Sequence, residues 1–181
     1  MKRSVLLWGT LLVVMMIAAA VYVTGHYSLS DAEAGVAPPT AKATEDRASE
    51  FTLEDLNGNH VSLRELRGHN VYINFWASWC KYCKKEMPDM KKIYERYQEK
   101  DLIILTVNVG ENREKAAAYL QDNGYPFRAV LDPDKKIAMK YGITSIPVSV
   151  FVDRKGNIVQ KRVGAMKEAE MRAILDPMIN S

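Results

Sequence analysis

Cys80 and Cys83 are the only cysteines in the 181-residue chain, and they stand three apart in the stretch Trp76-Ala77-Ser78-Trp79-Cys80-Lys81-Tyr82-Cys83. Two thiols at this spacing can bind metal, close a small ring, or exchange electrons. Structural zinc needs four protein ligands, and catalytic zinc about three. The histidines are His26, His60 and His69, all well upstream of the pair. Zinc is therefore disfavoured, and no metal ligand set is assigned. Two soft thiolates could still hold Cu(I), so a thiol-based copper carrier or assembly factor stays open as a different class of function. A staple across so short a loop would restrain the unfolded chain little, and no other cysteine ties distant segments together.

Electron transfer has a mechanism behind it. A cysteine that follows a strand and opens a helix meets unpaired backbone N–H groups and the positive end of the helix dipole. Both favour the thiolate, which is the attacking form, and lower the thiol pKa below its usual value of about 8.5. Lys81, Lys84 and Lys85 add positive charge. Cys83, one turn on, can attack a mixed disulfide formed at Cys80. The expectation is an exposed nucleophile at Cys80 and a more buried resolving thiol at Cys83. Trp79 is expected beside the pair on a partner-binding surface, and Trp76 in the core.

The elements that must position this pair can be read from periodicity. Val71–Trp76 is a strand of almost entirely apolar or β-favouring residues, and a helix from about Cys80 to Lys100 comes after it. Met87, Met90, Ile93, Tyr94 and Tyr97 recur at helical spacing, and Pro88 predicts a kink. Leu102–Val109 has the continuous apolar run of a buried parallel strand. A second helix closes at Asn123-Gly124. A third is expected to open with Asp132 as its cap and Pro133 at its first position. Hairpins are expected at Asn57-Gly58 and at Arg154-Lys155-Gly156, and a last helix from about Met166 buries Met171, Ile174, Leu175 and Met178. The order of elements implies an α/β sandwich with parallel central strands and an antiparallel pair at the end.

The N-terminal part reads differently. After Lys2 and Arg3, Val5–Val23 carries no charge; as a helix it would reach about 28 Å, one hydrocarbon thickness. Residues 1–24 are read as a signal-anchor transmembrane segment, with the basic end in the cytoplasm. Cleavage near Ala18-Ala19-Ala20 is the alternative, and in both cases the C-terminal domain is exported. Residues 25–48 are polar, Ala- and Pro-bearing, and read as a flexible linker. Residues 49–181 form the domain. Lys and Arg total 25 against 22 Asp and Glu, a net charge of +3, with no long basic tract. Nucleic acid is not an expected partner.

Residues 48–179 resemble the thioredoxin superfamily, and within it the membrane-anchored extracytoplasmic thiol–disulfide oxidoreductases of the ResA/TlpA type. The resemblance rests on "FTLEDLNGNHVSLRELRG", "VYINFWASWCKYCKKEMPDM", "LTVNVGEN" with the helix and "FRAVLD" after it, and "YGITSIPVSVFVDRKGNIV". It implies a thioredoxin-like three-layer α/β sandwich with an N-terminal β-hairpin and a central insertion, preceded by one transmembrane helix. Cys80 matches the nucleophile and Cys83 the resolving cysteine. Pro147 matches a proline whose preceding bond is cis, which places Ile146 where its backbone could pair with a substrate segment. Glu111 matches an acidic residue near the site that could raise the thiol pKa or relay protons; an ordinary helix-end charge is the competing reading.

Three features depart from plain thioredoxin or its relatives. Asn74 replaces a buried aspartate, so that proton acceptor is missing. Lys81-Tyr82 stands between the cysteines, where proline often precedes the second. Val148 follows the cis-proline position, where threonine is frequent. The resemblance further implies no bound cofactor, a membrane dithiol donor, and disulfide-containing exported proteins as partners, with apocytochrome c as leading substrate in cytochrome c maturation. A sporulation-related reductase and a dithiol oxidase or isomerase are the alternatives. The expected location is the cell membrane, single-pass, with the C-terminal domain outside.

Overall fold

In the computed structural model the described residues are 14–19, 21–22 and 47–180. The chain divides into two units, residues 1–42 and 43–181. Of the first, residues 14–19 and 21–22 are helical, and Val14, Met15, Met16, Ile17, Val21 and Tyr22 are exposed. The rest of the expected membrane segment, and the expected linker up to residue 46, lie outside the described residues. No helix among the described residues is long and apolar enough to cross a membrane.

The second unit is built on a five-stranded mixed sheet. Its strands are β3 (Asn70–Trp76), β4 (Leu102–Val109), β5 (Arg128–Asp132), β6 (Val148–Val152) and β7 (Ile158–Val163), in the order β5-β4-β3-β6-β7. β3, β4 and β5 run parallel; β6 lies antiparallel to β3, and β7 to β6. A separate hairpin, β1 (Thr52–Glu54) and β2 (His60–Ser62), precedes them. The helices are α1 (Lys81–Tyr97), α2 (Arg113–Asp122), α3 (Lys136–Lys140) and α4 (Glu168–Ile179). The expected central segment becomes α2 and β5, with β5 at one edge of the sheet.

Alternation along the strands makes the three layers. In β3, Tyr72 and Trp76 face a core shared with Met87, Met90 and Ile93 of α1 and Met171 and Leu175 of α4. Val71, Ile73 and Phe75 face the opposite core, with Phe51, Val61 and Ala138. Every residue of β3 is buried, as expected of a central strand covered on both faces. The α1 stripe also holds: Met87, Met90 and Ile93 are fully buried and Tyr97 nearly so, while Tyr94 is only partly covered. Complete burial of such a side chain contributes about 2 kcal/mol. Ile174 of α4 is likewise only half-buried. Pro88 is accommodated inside α1, which continues to Tyr97.

Both hairpins share one device. Asp55 accepts hydrogen bonds from the N–H groups of Asn57 and Asn59 at 2.8 and 2.9 Å; Asp153 does the same for Lys155 and Asn157 at 2.9 and 2.8 Å. The repeated pattern Asp-x-x-Gly-Asn supplies the carboxylate, and Gly58 and Gly156 adopt φ of 85° and 89°. Only glycine enters that region without strain.

The start of α3 corrects the sequence reading. Asp132 is not the residue flanking the helix but the last residue of β5. Residues 133–135 turn the chain, Lys135 takes a left-handed φ of 61°, and the helix opens at Lys136. Asp132 still caps it from a distance, accepting from Ile137 N–H at 3.1 Å and Ala138 N–H at 2.8 Å. Since that carboxylate is 2% exposed, its loss strands two helix-end donors. Asp132→Ala is expected to destabilise the domain by about 1–2 kcal/mol. A lowered urea midpoint with an unchanged slope is the signature; an unchanged midpoint would show that water replaces the cap.

Candidate active site

β3 ends at Trp76, and four residues later Cys80 caps α1. Trp76 lies in the core against Tyr119, with ring centroids 5.5 Å apart, as expected. Cys80 has extended backbone angles, and its sulfur accepts the N–H of Cys83 at 3.1 Å. The sulfur therefore occupies the position of a helix-capping oxygen, in contact with an end of the helix that favours negative charge. Cys80 and Cys83 are joined as a disulfide, with Cα atoms 5.3 Å apart. No acid lies in the first turn of α1, where Lys81, Lys84 and Lys85 are exposed.

The expected order of exposure holds, but its size does not. Cys80 is 5% and Cys83 1% exposed, so in the oxidised state neither sulfur is open. Cys80 is covered because it sits beneath the loop before β6, its Sγ 3.6 Å from the carbonyl oxygen of Ile146. The Ile146–Pro147 bond is cis, as the resemblance implies. Around the buried disulfide the flanking aromatics are open: Trp79 is 66% and Tyr82 62% exposed. Beside Tyr82 runs a groove of about 380 Å³ whose apolar lining includes Ile146, Pro147, Val163 and Met166.

Glu111 stands at the N-terminal end of α2, yet its carboxylate is bonded to the loop before Cys80. It precedes Asn112, the cap of α2, and its carboxylate accepts from Ser78 N–H at 2.7 Å, Ser78 Oγ–H at 2.6 Å and Asn108 Nδ2 at 2.9 Å. Burial pushes its carboxyl up, but the bonds from Ser78 and Asn108 outweigh this and hold it below the usual range. It stays ionised at neutral pH, which suits anchoring the loop two residues before Cys80 and not passing protons.

Sequence reasoning misses Glu86. Its side chain is 1% exposed, inside the α1 face that carries Cys83, Met87 and Met90. Met166 N–H donates to Oε1 at 3.3 Å and Asn74 Nδ2 to Oε2 at 3.4 Å; the hydroxyls of Ser149 and Tyr72 lie at 3.4 and 3.5 Å. Burial is the largest influence and pushes its pKa from 4.5 to about 7, against the opposing pull of those bonds. Asn74 is thus no vacancy. Where an acidic side chain on the strand would sit, Asn74 presents an amide to a carboxyl arriving from the helix. Cys83 and Glu86 stand three apart on one helix face, close enough to interact. The legible signal is a charged residue at the spacing of an otherwise apolar stripe.

The assembled chemistry is a reducible disulfide whose first sulfur caps a helix, whose second shares a buried face with a carboxyl titrating near neutrality, and whose rim is apolar and aromatic. Residues 44–161 match the AhpC/TSA family. The chain is 31% identical over 175 residues to the thiol-disulfide oxidoreductase ResA of Geobacillus thermodenitrificans, covering 97% of both chains. With the ResA of Bacillus subtilis the identity is 34% over 122 residues, 67% of this chain and 68% of that one. Among solved structures, the thioredoxin domain of a thiol-disulfide oxidoreductase from Bacteroides vulgatus superposes with a TM-score of 0.69 at 28% identity, over 76% of this chain and 99% of that one. The cap geometry, the cis-proline loop and these likenesses agree, and the chain belongs to the thioredoxin-like AhpC/TSA family as a thiol–disulfide oxidoreductase of the ResA type.

Proposed function

We infer that the protein is a membrane-tethered reductase of disulfides in exported proteins, with Cys80 as nucleophile and Cys83 as resolving thiol. The observation that carries this reading is the 3.1 Å contact of Cys83 N–H with Cys80 Sγ, at a helix end with no acid in its first turn. After reduction, the same donor and the lysines favour a thiolate at Cys80. Glu111 opposes them, but its carboxylate is held by the N–H and hydroxyl of Ser78.

The exchange runs in two displacements. The Cys80 thiolate attacks one sulfur of the substrate disulfide; a bond forms between enzyme and substrate, and the other substrate sulfur leaves as thiolate. Cys83 then loses its proton and attacks Cys80 Sγ. The Cys80–Cys83 bond forms, and the second substrate sulfur leaves and is protonated. Two electrons and the proton of Cys83 leave the enzyme, the thiolate released first takes its proton from water, and a dithiol donor restores the reduced enzyme. Glu86, with a pKa of about 7 and on the Cys83 face, is the group to take the Cys83 proton.

Export and tethering are supported by the uncharged run Val5–Val23 behind Lys2 and Arg3, and by an alignment with the Geobacillus protein that spans 175 residues. From the resemblance come the leading substrate, the haem-binding cysteines of apocytochrome c, and a membrane dithiol carrier as donor. The direction of flow is read from the reduction potential: a value well below about −250 mV fits a reductant, and one near about −120 mV an oxidant.

Trapping in cells tests the reading. Cys83→Ala removes resolution and is expected to accumulate a mixed disulfide through Cys80, released by added dithiol, whose captured partner names the substrate. A variant that captures nothing, together with a Cys80→Ala strain that matches wild type, would sink it.

A further inference from the structure

The groove beside the disulfide is apolar on its floor and charged on its rim, and both charged lining residues, Lys85 and Lys167, are cationic. Both are exposed. Among the described residues no carboxylate lies within ion-pair distance of Lys81, Lys84 or Lys85. Lys167 Nζ reaches Asp89 only at 3.8 Å, and that carboxylate is already held by Lys92 at 2.8 Å. One acid thus stands between two ammonium groups. The nearby acids of α4 are engaged elsewhere, Glu168 with Arg96 at 3.4 Å and Glu170 with Arg162 at 3.8 Å.

An apolar cleft with like charges at its lip concentrates their field on whatever enters it. Covering Tyr82 and Val163, which are 62% and 70% exposed, favours an apolar residue in the occupant. The excess of positive charge, with Lys85 unpaired among the described residues and Lys167 sharing Asp89 with Lys92, favours carboxylates flanking it and repels cations. We propose that Lys85 and Lys167 select the substrate, so that the groove takes an extended segment with an apolar residue beside its reactive cysteine and Asp or Glu around it. This rests on the exchange reading above and narrows its substrate class.

Each exposed charge contact is individually weak, but the two lysines act together and on the encounter rate. The test uses the reduced full-length protein and two disulfide peptides identical except for two Glu or two Lys flanking an apolar residue next to the cysteine. The expected result is reduction of the Glu peptide about tenfold faster at low ionic strength. That ratio should fall towards one in about 0.5 M salt, where the screening length is only a few ångströms. In the double variant Lys85→Glu/Lys167→Glu the preference should invert, and in Lys85→Ala/Lys167→Ala it should shrink. The ratio cancels any change in sulfur reactivity, because both peptides meet the same Cys80. Equal rates for the two peptides in wild type, or an unaltered ratio in both double variants, overturns the selection by charge while leaving exchange intact. Failure to reduce either peptide or the small uncharged 2-hydroxyethyl disulfide overturns the exchange reading and this inference together.

Discussion

Glu86→Gln is expected to abolish a loss of about 3 kcal/mol in stability that the oxidised wild-type domain undergoes as pH rises from 4.5 to about 7. The magnitude comes from the displacement of its pKa from 4.5 to about 7, at about 1.4 kcal/mol for each unit, in a side chain that is 1% exposed. The sign is set by proton binding. Below pH 4.5 both folded and unfolded chains hold the proton. Between pH 4.5 and about 7 the unfolded chain releases it while the folded chain keeps it, so the folded state loses ground as pH rises. Above that the cost is constant. Glutamine keeps the size of the side chain and abolishes this titration. Urea unfolding of both proteins at pH 5 and pH 8 isolates the difference from every other titrating group. Parallel curves would mean that the carboxyl is not desolvated. In the reduced protein the same substitution should slow resolution by Cys83 about hundredfold, the ordinary contribution of a general base, and flatten its rise between pH 6 and 8.

Cys80→Ser should cut disulfide exchange by at least about a thousandfold, since a hydroxyl is not ionised near neutral pH. Its value lies in what it preserves. Cys80 Sγ accepts the Cys83 N–H as the cap of α1, and serine is among the best capping residues. The variant should therefore match reduced wild type in urea midpoint, whereas Cys80→Ala should lose about 1 kcal/mol through the missing cap. Loss of exchange with an unchanged midpoint separates the nucleophile from the helix it opens. Residual exchange within tenfold of wild type would be incompatible with Cys80 as the attacking sulfur.

Asn74 and Asp132 mark where local pattern stops. Asn74 reads as the loss of a buried acid when its strand is taken without the helix that crosses it. Asp132-Pro133 reads as a helix start because that dipeptide has the chemistry of one; a turn with Lys135 at φ 61° instead carries the chain on to Lys136. Glu86 falls in a helix whose apolar spacing is recognisable, yet its meaning depends on Ser149 and Met166, more than sixty residues away in sequence. Glu111 has two competing roles from sequence, and its bonds to Ser78 and Asn108 assign it a third, anchoring the loop.

The sequence alone determined the thiol pair and its spacing, the nearly continuous apolar run that suits β3 to burial, the stripe of α1, and both hairpin turns, because each depends on neighbours within a few residues. Tertiary structure decided how covered the sulfurs are, that a helix and not a strand delivers the buried carboxyl, and which charges rim the groove. Those are matters of desolvation and of contacts between remote segments, and neither is fixed until the chain has packed.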